Sequence, residues 1–192
     1  RHAGWAVMRV SKEQAAANRE RILDAAARLF RERGIAGTGV DALAEAAGMT
    51  HGSLYSHFGS KERLAAEAVA RAAAGNDAGT SQAGTLAEFV GGYLSPRHRD
   101  AAGAGCVLAA LGSEVRRQDA PVRESFTAGV RRMAARIGNL LPGRASPQRE
   151  DEALAVVATL VGALILSRAV DDAALSDRIL AAARHATGAR PG

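Results

Sequence analysis

The sequence predicts an all-α fold of about nine helices, a small N-terminal group followed by a longer C-terminal one. Three observations carry this. Hydrophobic residues make up 47% of the chain but aromatics only 4%, so the core must be built mainly from Ala, Leu and Val. Ala and Leu are strong helix formers, and they pack helices at close range. Apolar residues recur at three- and four-residue spacing, as in Ile22, Ala25, Ala26, Leu29 and Phe30. Start and stop signals punctuate the chain at Gly34, Gly48, Pro96, Pro121, Pro142-Gly143 and Pro147.

The first helix opens at Ser11-Lys12-Glu13-Gln14, a capping-box pattern, and runs to about Arg33. Gly34 is placed to end it in a left-handed conformation. Thr38 or Gly39 can cap a second helix over Val40 to Ala47, and a third covers Thr50 to Phe58. Ser60 caps a fourth that continues to about Ala74. The Gly-, Ser-, Thr- and Asn-rich segment Gly75 to Gly84 reads as a flexible break. Thr85 to Leu94 is a short helix, Pro96 to Gly105 a polar loop, and Cys106 to Arg117 a helix. Asp119-Ala120-Pro121 opens a long helix to about Leu141, with Pro where its missing N–H costs nothing. Ser146-Pro147 opens another, to about Val170, whose Glu150, Asp151 and Glu152 suit the positive helix start. The last spans about Leu175 to Ala186.

Residues 1–7 precede Met8 and look foreign, so 1–10 are set apart as a tag or extended start. Residues 11–60 then form the first domain and 61–192 the second. A chain of 192 residues accommodates such a pair. The single cysteine, Cys106, rules out an intrachain disulfide and suits a reducing cytosol. The longest apolar run, Leu154 to Ser167, is broken by Thr159 and Gly162. It falls short of the roughly 18 residues expected of a membrane span, so a buried helix is expected. With the lone cysteine, a cytoplasmic protein is expected.

The segment Gly48-Met49-Thr50-His51-Gly52-Ser53-Leu54-Tyr55-Ser56-His57-Phe58-Gly59-Ser60-Lys61 carries the chemistry. It has the parts of a helix-turn-helix. Ala44 is small where two helices cross, Gly48 tolerates positive φ in the turn, and Leu43, Ala47, Met49, Leu54 and Phe58 face inward. The outward set is then Thr50, His51, Gly52, Ser53, Tyr55, Ser56 and His57, suited to a groove and its phosphates. A net charge of +5 fits a polyanionic partner. His57 packed beside Phe58, and Tyr55 as a half-buried core ring, are the competing structural roles. Arg19 and Arg21 read as solvated face residues. Lys61 opposes the helix dipole at a helix start, which favours a nearby anion.

With its flanks included, the stretch 18–64 resembles the DNA-binding domain of the TetR family of bacterial transcriptional regulators. Those flanks are Arg21-Ile22-Leu23-Asp24-Ala25-Ala26-Ala27-Arg28-Leu29-Phe30 with Gly34, and the run Leu54 to Leu64. Further on, Gly105-Cys106-Val107-Leu108-Ala109-Ala110-Leu111 and Asp119-Ala120-Pro121 are similar to the subgroup related to AcrR and NemR. The resemblance implies a homodimeric repressor, not an enzyme, that binds palindromic double-stranded operator DNA and leaves it when a small-molecule effector binds. Carried over by position, Thr38, Thr50, Tyr55, His57 and Lys61 hold phosphates, while His51, Gly52 and Ser53 lie nearest the base edges.

In the second block Phe89, Tyr93, Cys106, Phe126 and Met133 are the candidate effector-pocket residues, with core packing as the alternative. A helix start can lower a thiol pKa, so Cys106 is also a candidate redox or electrophile sensor. Its alternative is a small buried residue. Ala155, Ala158, Thr159, Gly162, Ala163, Leu166, Ile179 and Ala183 are the candidate dimer interface, where small residues let helices approach closely. By resemblance, the last two helices pair with their dimer mates in a four-helix bundle. No cofactor, metal cluster or catalytic constellation is expected. A ligand-independent architectural DNA-binding protein is the distant alternative.

Overall fold

The computed structural model describes residues 12–75 and 82–187. Ser11 of the expected capping box, the foreign-looking N-terminal residues and most of the Gly75–Gly84 break lie outside the described residues. Among those described there are ten α-helices, one 3-10 turn and no strand. The head comprises α1 (Lys12–Arg33), α2 (Val40–Ala47) and α3 (His51–Phe58). Helix α4 (Lys61–Gly75) packs on α1 and also on the second block. That block comprises α5 (Leu86–Tyr93), α6 (Pro96–Asp100), α7 (Val107–Val115), α8 (Ala120–Leu140), α9 (Pro147–Ala169) and α10 (Ala173–Ala186).

The apolar stripe of α1 is buried as its spacing predicts: Ile22, Ala26, Leu29 and Phe30 are at most 2% exposed. Ion pairs hold α1 against α4. Arg71 bridges Glu20 and Asp24, the latter at 2.9 Å, and Arg19 pairs with Glu67. Such exposed pairs contribute little energy each, about 0–1 kcal/mol, so they fix register more than stability. Arg19 is therefore not a free face residue; its guanidinium also lies 4.6 Å from the centroid of the Phe58 ring.

Helix α8 runs between α4 and α9, and α9 lies between α8 and α10. Gly129 permits the closest approach. A β-carbon there would stand 3.0 Å from Ala73 Cβ on α4 and 3.4 Å from Leu108 on α7. The shared core includes Leu64, Val69, Leu111, Ile137, Leu160 and Leu180.

Two boundaries and one cap bond differ from expectation, and one of the two candidate caps of α2 is selected. The predicted loop Pro96–Gly105 contains α6 and a 3-10 turn at Ala102–Ala104. Ser95 accepts a bond from the His98 N–H at 3.2 Å, and Pro96 occupies the first turn, so the Ser-Pro pair starts a helix there. Gly39, without any side-chain bond, occupies the cap of α2. Asp119 stands at the cap of α8, but its carboxylate bonds no helix N–H. Helix α10 starts two residues early because Asp172 caps the Leu175 N–H at 3.0 Å.

Helix α9 also corrects the expectation from its apolar run. Its 23 residues include an 18-residue window of mean hydropathy 1.7, long and apolar enough to cross a membrane, with 33% of that window buried inside the monomer. The run was interrupted only by Thr159 and Gly162, which a helix accommodates. One face, with Ala153, Val157, Leu160 and Leu164, lies in the core. The opposite face remains apolar: Leu154, Ile165 and Leu166 are 47%, 39% and 56% exposed.

Candidate nucleic-acid interface

The reading helix is set by two glycines and a cap. Gly48 has φ 64°, and its N–H bonds back to the Glu45 carbonyl at 2.9 Å, so the chain turns sharply out of α2. Thr50 Oγ1 accepts the Ser53 N–H at 3.2 Å and starts α3. Gly59, at φ 77°, ends it, and Ser60 Oγ accepts the Arg63 N–H at 3.1 Å to start α4. Leu43, Ala44, Ala47, Leu54 and Phe58 are all buried, at most 5% exposed, and Met49 packs against them half-buried. The inward set is the one that the pattern predicts.

The outward set divides. Thr50, His51, Gly52, Tyr55 and Ser56 are exposed, while Ser53, His57 and Lys61 are half-buried. Tyr55 is 44% exposed, which removes the core-ring reading. Its ring meets that of His51 at 5.3 Å between centroids. A β-carbon at Gly52 would meet nothing within 4 Å, so the backbone of α3 is bare there. His57 lies edge-on to Phe58 at 6.5 Å while remaining partly open. Its two proposed roles are thus compatible.

Thr38 is a correction. It is wholly buried, and its hydroxyl donates to the Gly34 carbonyl at 2.6 Å, so that hydroxyl is spent inside the α1–α2 turn rather than presented to a phosphate. Two neighbours went unseen in the sequence. The Asp41 carboxylate stands 3.9 Å from His51 Nδ1. The Arg21 guanidinium lies over the α2–α3 turn, 2.9 Å from where a Gly48 β-carbon would be. Neither signal is local, since each needs two helices to be crossed correctly.

In the second block Phe89, Tyr93 and Cys106 are brought together and buried, at 3%, 4% and 1% exposure. The Phe89 and Tyr93 rings stack at 6.2 Å, and His98 meets Tyr93 edge-on at 4.7 Å. His98 Nδ1 donates to the Tyr93 carbonyl at 2.6 Å, and its Nε2 accepts the Cys106 N–H at 3.0 Å. This pair of bonds fixes one neutral tautomer. Burial, foremost, and the Arg168 charge push the His98 pKa down. Burial likewise pushes the Tyr93 phenol well up, and the polar group beside it is the Cys106 thiol. Phe126 lies elsewhere, half-buried on α8 with its ring tip toward Gly112 of α7, and Met133 is half-buried further along α8.

The candidate dimer residues also divide. Ala155, Ala158 and Leu166 are exposed, and Thr159, Gly162 and Ile179 half-buried. Ala163 and Ala183 are buried within the chain at 7% and 8% exposure, so they are core residues. Helical spacing alone does not say which side of an apolar helix faces its own domain. Among the described residues, no group of His, Cys, Asp and Glu has the clustering of a metal site.

The sequence profile of the tetR family of bacterial regulatory proteins matches residues 22–68. The regulator AcrR of Shigella flexneri is 42% identical over 59 residues, 31% of this chain and 27% of AcrR. LmrA of Bacillus subtilis is 53% identical over 53 residues, 27% and 28% of the two chains. The repressor KstR2 of Rhodococcus jostii is 53% identical over 49 residues, 26% and 24%. The matched stretch thus spans only about a quarter of each relative's length. Two solved structures extend the likeness of fold to nearly the whole chain. Reduced NemR of Escherichia coli superposes with a TM-score of 0.72 at 22% identity, covering 89% of this chain and 95% of its own. A TetR-family regulator of Cytophaga hutchinsonii gives 0.74 at 23% identity, covering 94% and 96%. By sequence, residues 22–68 are those of the tetR family of bacterial regulatory proteins, and by fold nearly the whole chain is like solved regulators such as these.

Proposed function

We propose that the protein is a homodimeric transcriptional repressor that holds operator DNA through α3 and releases it when a small molecule binds the second block. The observation that carries the reading is the exposed face of α3, where Tyr55 stands open while Leu54 and Phe58 anchor the same helix in the core. An aromatic residue so exposed on a short polar helix, with His51 as its ring neighbour, gains little from the core, and a nucleic-acid backbone would supply a further partner. In this reading Thr50, Tyr55, His57 and Lys61 hold phosphates and His51, Gly52 and Ser53 face base edges. The chain divides functionally into a reading head (11–60) and an effector and dimerisation domain (61–192).

The apolar face of α9 supports pairing with a second copy, with Ala155, Ala158, Gly162 and Leu166 at the seam and Ile179 of α10 beside it. Repressors among the relatives, such as KstR2, support repression as the direction of regulation. The buried Phe89, Tyr93 and Cys106 cluster supports an apolar effector reached by opening of α5 and α6. The thiol-sensor alternative requires access to Cys106, which is 1% exposed, so packing is the role its surroundings favour. A duplex recovered by selection from random DNA tests the main reading. Specific binding whose affinity falls steeply with salt is expected; recovery of no preferred sequence, or salt-independent binding, rejects it. Cys106→Ser should respond to a mild thiol oxidant as wild type does, and loss of a wild-type response would reinstate the sensor.

A further inference from the structure

The junction between the two blocks carries a second, unassigned element. The α1–α2 turn leaves α1 at Gly34, and the Ile35 and Ala36 N–H groups have no helical partner there. Both donate to one carboxylate 78–79 residues away. Glu114 Oε2 accepts from Ile35 N at 3.1 Å, and Glu114 Oε1 accepts from Ala36 N at 2.6 Å. The Gln118 side-chain amide donates to the same Oε1 at 3.4 Å. Gly34 makes room: at φ 77°, a β-carbon there would lie 2.6 Å from Glu114 Oε2. The Gly34 carbonyl is taken in turn by the Thr38 hydroxyl at 2.6 Å, and the Thr38 N–H reaches the Ile35 carbonyl at 3.4 Å. The turn that feeds α2 is therefore held from the second block, through a carboxylate gripping adjacent amides. Bonds of this charge-assisted kind are stronger and more directional than neutral ones.

Glu114 sits near the C-terminal end of α7. The other end of that nine-residue helix begins at Cys106, whose N–H is held by His98 beside Tyr93. A second tie runs parallel, from Arg31 Nε on α1 to the Gly103 carbonyl at 2.7 Å, just ahead of α7. The segment 102–115 thus lies against α1, fastened at both ends.

We propose that Glu114 is a positioning residue for DNA binding: by gripping the Ile35 and Ala36 amides it sets the pose of α2, and through it α3, and it passes any shift of α7 to the reading head. The inference rests on the DNA-binding reading above. A carboxylate bond is lost over a displacement of about 1 Å, so a small axial movement of α7 would free the turn.

The test uses the full chain and a duplex selected by the wild-type protein. Glu114→Ala and Glu114→Gln are compared for DNA affinity by fluorescence anisotropy, well below their melting temperatures. Amide hydrogen exchange at Ile35 and Ala36 is followed in parallel. Glu114→Ala should lose about tenfold in affinity and exchange both amides faster. Glu114→Gln keeps one acceptor oxygen and should fall between, and it stands in if the alanine variant does not fold. Faster exchange with affinity unchanged within about twofold would reduce Glu114 to a structural cap and overturn the proposal. Unchanged exchange would overturn it too. A wild-type protein that selects no duplex refutes the DNA-binding reading itself, and the proposal falls with it.

Discussion

Helices α3 and α9 each bury one face and leave the other uncovered, but the uncovered faces are opposite in chemistry. On α3 the open side is His51, Gly52, Tyr55 and Ser56, polar or bare backbone. On α9, beyond its polar first turns, it is Leu154, Ala155, Ala158, Ile165 and Leu166, apolar from Leu154 onward. Both are uncovered in the monomer, with different consequences. Polar groups on α3 are content in water and become informative only against an anion. The α9 surface is costly in water, and a contiguous exposed apolar patch marks an interaction surface. In the proposed function the two faces meet different partners, a polyanion on α3 and a like apolar face on α9.

The largest expected effect breaks the α9 side. Leu166→Glu places a carboxylate where a second copy's apolar face would lie, while 56% exposure leaves the monomer's core untouched. Burying an unpaired charge costs several kcal/mol. The dimer should dissociate at micromolar concentration in light scattering, and DNA affinity should fall by about a hundredfold or more because two half-sites are no longer read together. An unchanged mass and affinity would move the interface off α9.

Next comes a contrast within α3. Phe58→Ala removes a ring that is 1% exposed and should cost about 3–5 kcal/mol in chemical denaturation. Tyr55→Ala, three positions earlier and 44% exposed, should change stability by less than about 1 kcal/mol yet weaken DNA binding about tenfold. If Tyr55→Ala instead costs as much stability as Phe58→Ala, the outward assignment of α3 is wrong.

The same contrast explains what was legible from sequence. The head could be read because each of its features is local. Gly34 and Gly48 adopt the positive φ predicted for them, and Leu43, Leu54 and Phe58 fall on one side of two short helices whose other side is polar. Helix α9 could be placed but not oriented. With Ala, Leu and Val on every side, periodicity does not separate core from interface, and Ala163 and Ala183 went to the core. The burial of Thr38 is not legible in the sequence, because a hydroxyl offered to a phosphate and one turned back to the Gly34 carbonyl look alike there. Glu114 was invisible because its partners lie 78–79 residues away and are backbone amides, which no side-chain motif records.

Gly52 gives a smaller, sharper test of the α3 side. Nothing lies within 4 Å of a β-carbon there, and glycine in a helix interior costs about 0.5–1 kcal/mol relative to alanine. Gly52 stands in the first turn of α3, so Gly52→Ala should raise the stability of the free protein by at most about that amount. If the bare backbone is the surface nearest the bases, the added methyl should weaken binding to the selected duplex or shift its preferred sequence at one position. A gain in stability with unchanged affinity and preference would leave Gly52 facing solvent in the complex.

The smallest effect concerns neither open face but the α5–α7 junction behind them. His98 is neutral in the fold because Nε2 accepts the Cys106 N–H while Nδ1 donates to Tyr93, and burial holds its pKa below the ordinary 6.5. Arg168, donating to the His98 and Arg99 carbonyls at 2.8 Å, adds a positive charge alongside. The unfolded chain thus binds a proton more readily than the folded one. The stability contributed by neutral His98 is present above the unfolded pKa and is lost as pH falls through 6.5 toward the depressed folded value. Thermal midpoints should decline on acidification from pH 7 to pH 5, and His98→Gln should flatten that decline while lowering the midpoint at neutral pH. Because α7 starts at this junction and ends on the head, the Ile35 and Ala36 amides should also lose protection on acidification, measured as protection factors against the intrinsic exchange rate at each pH. Undiminished protection there would show that α7 does not carry the disturbance across.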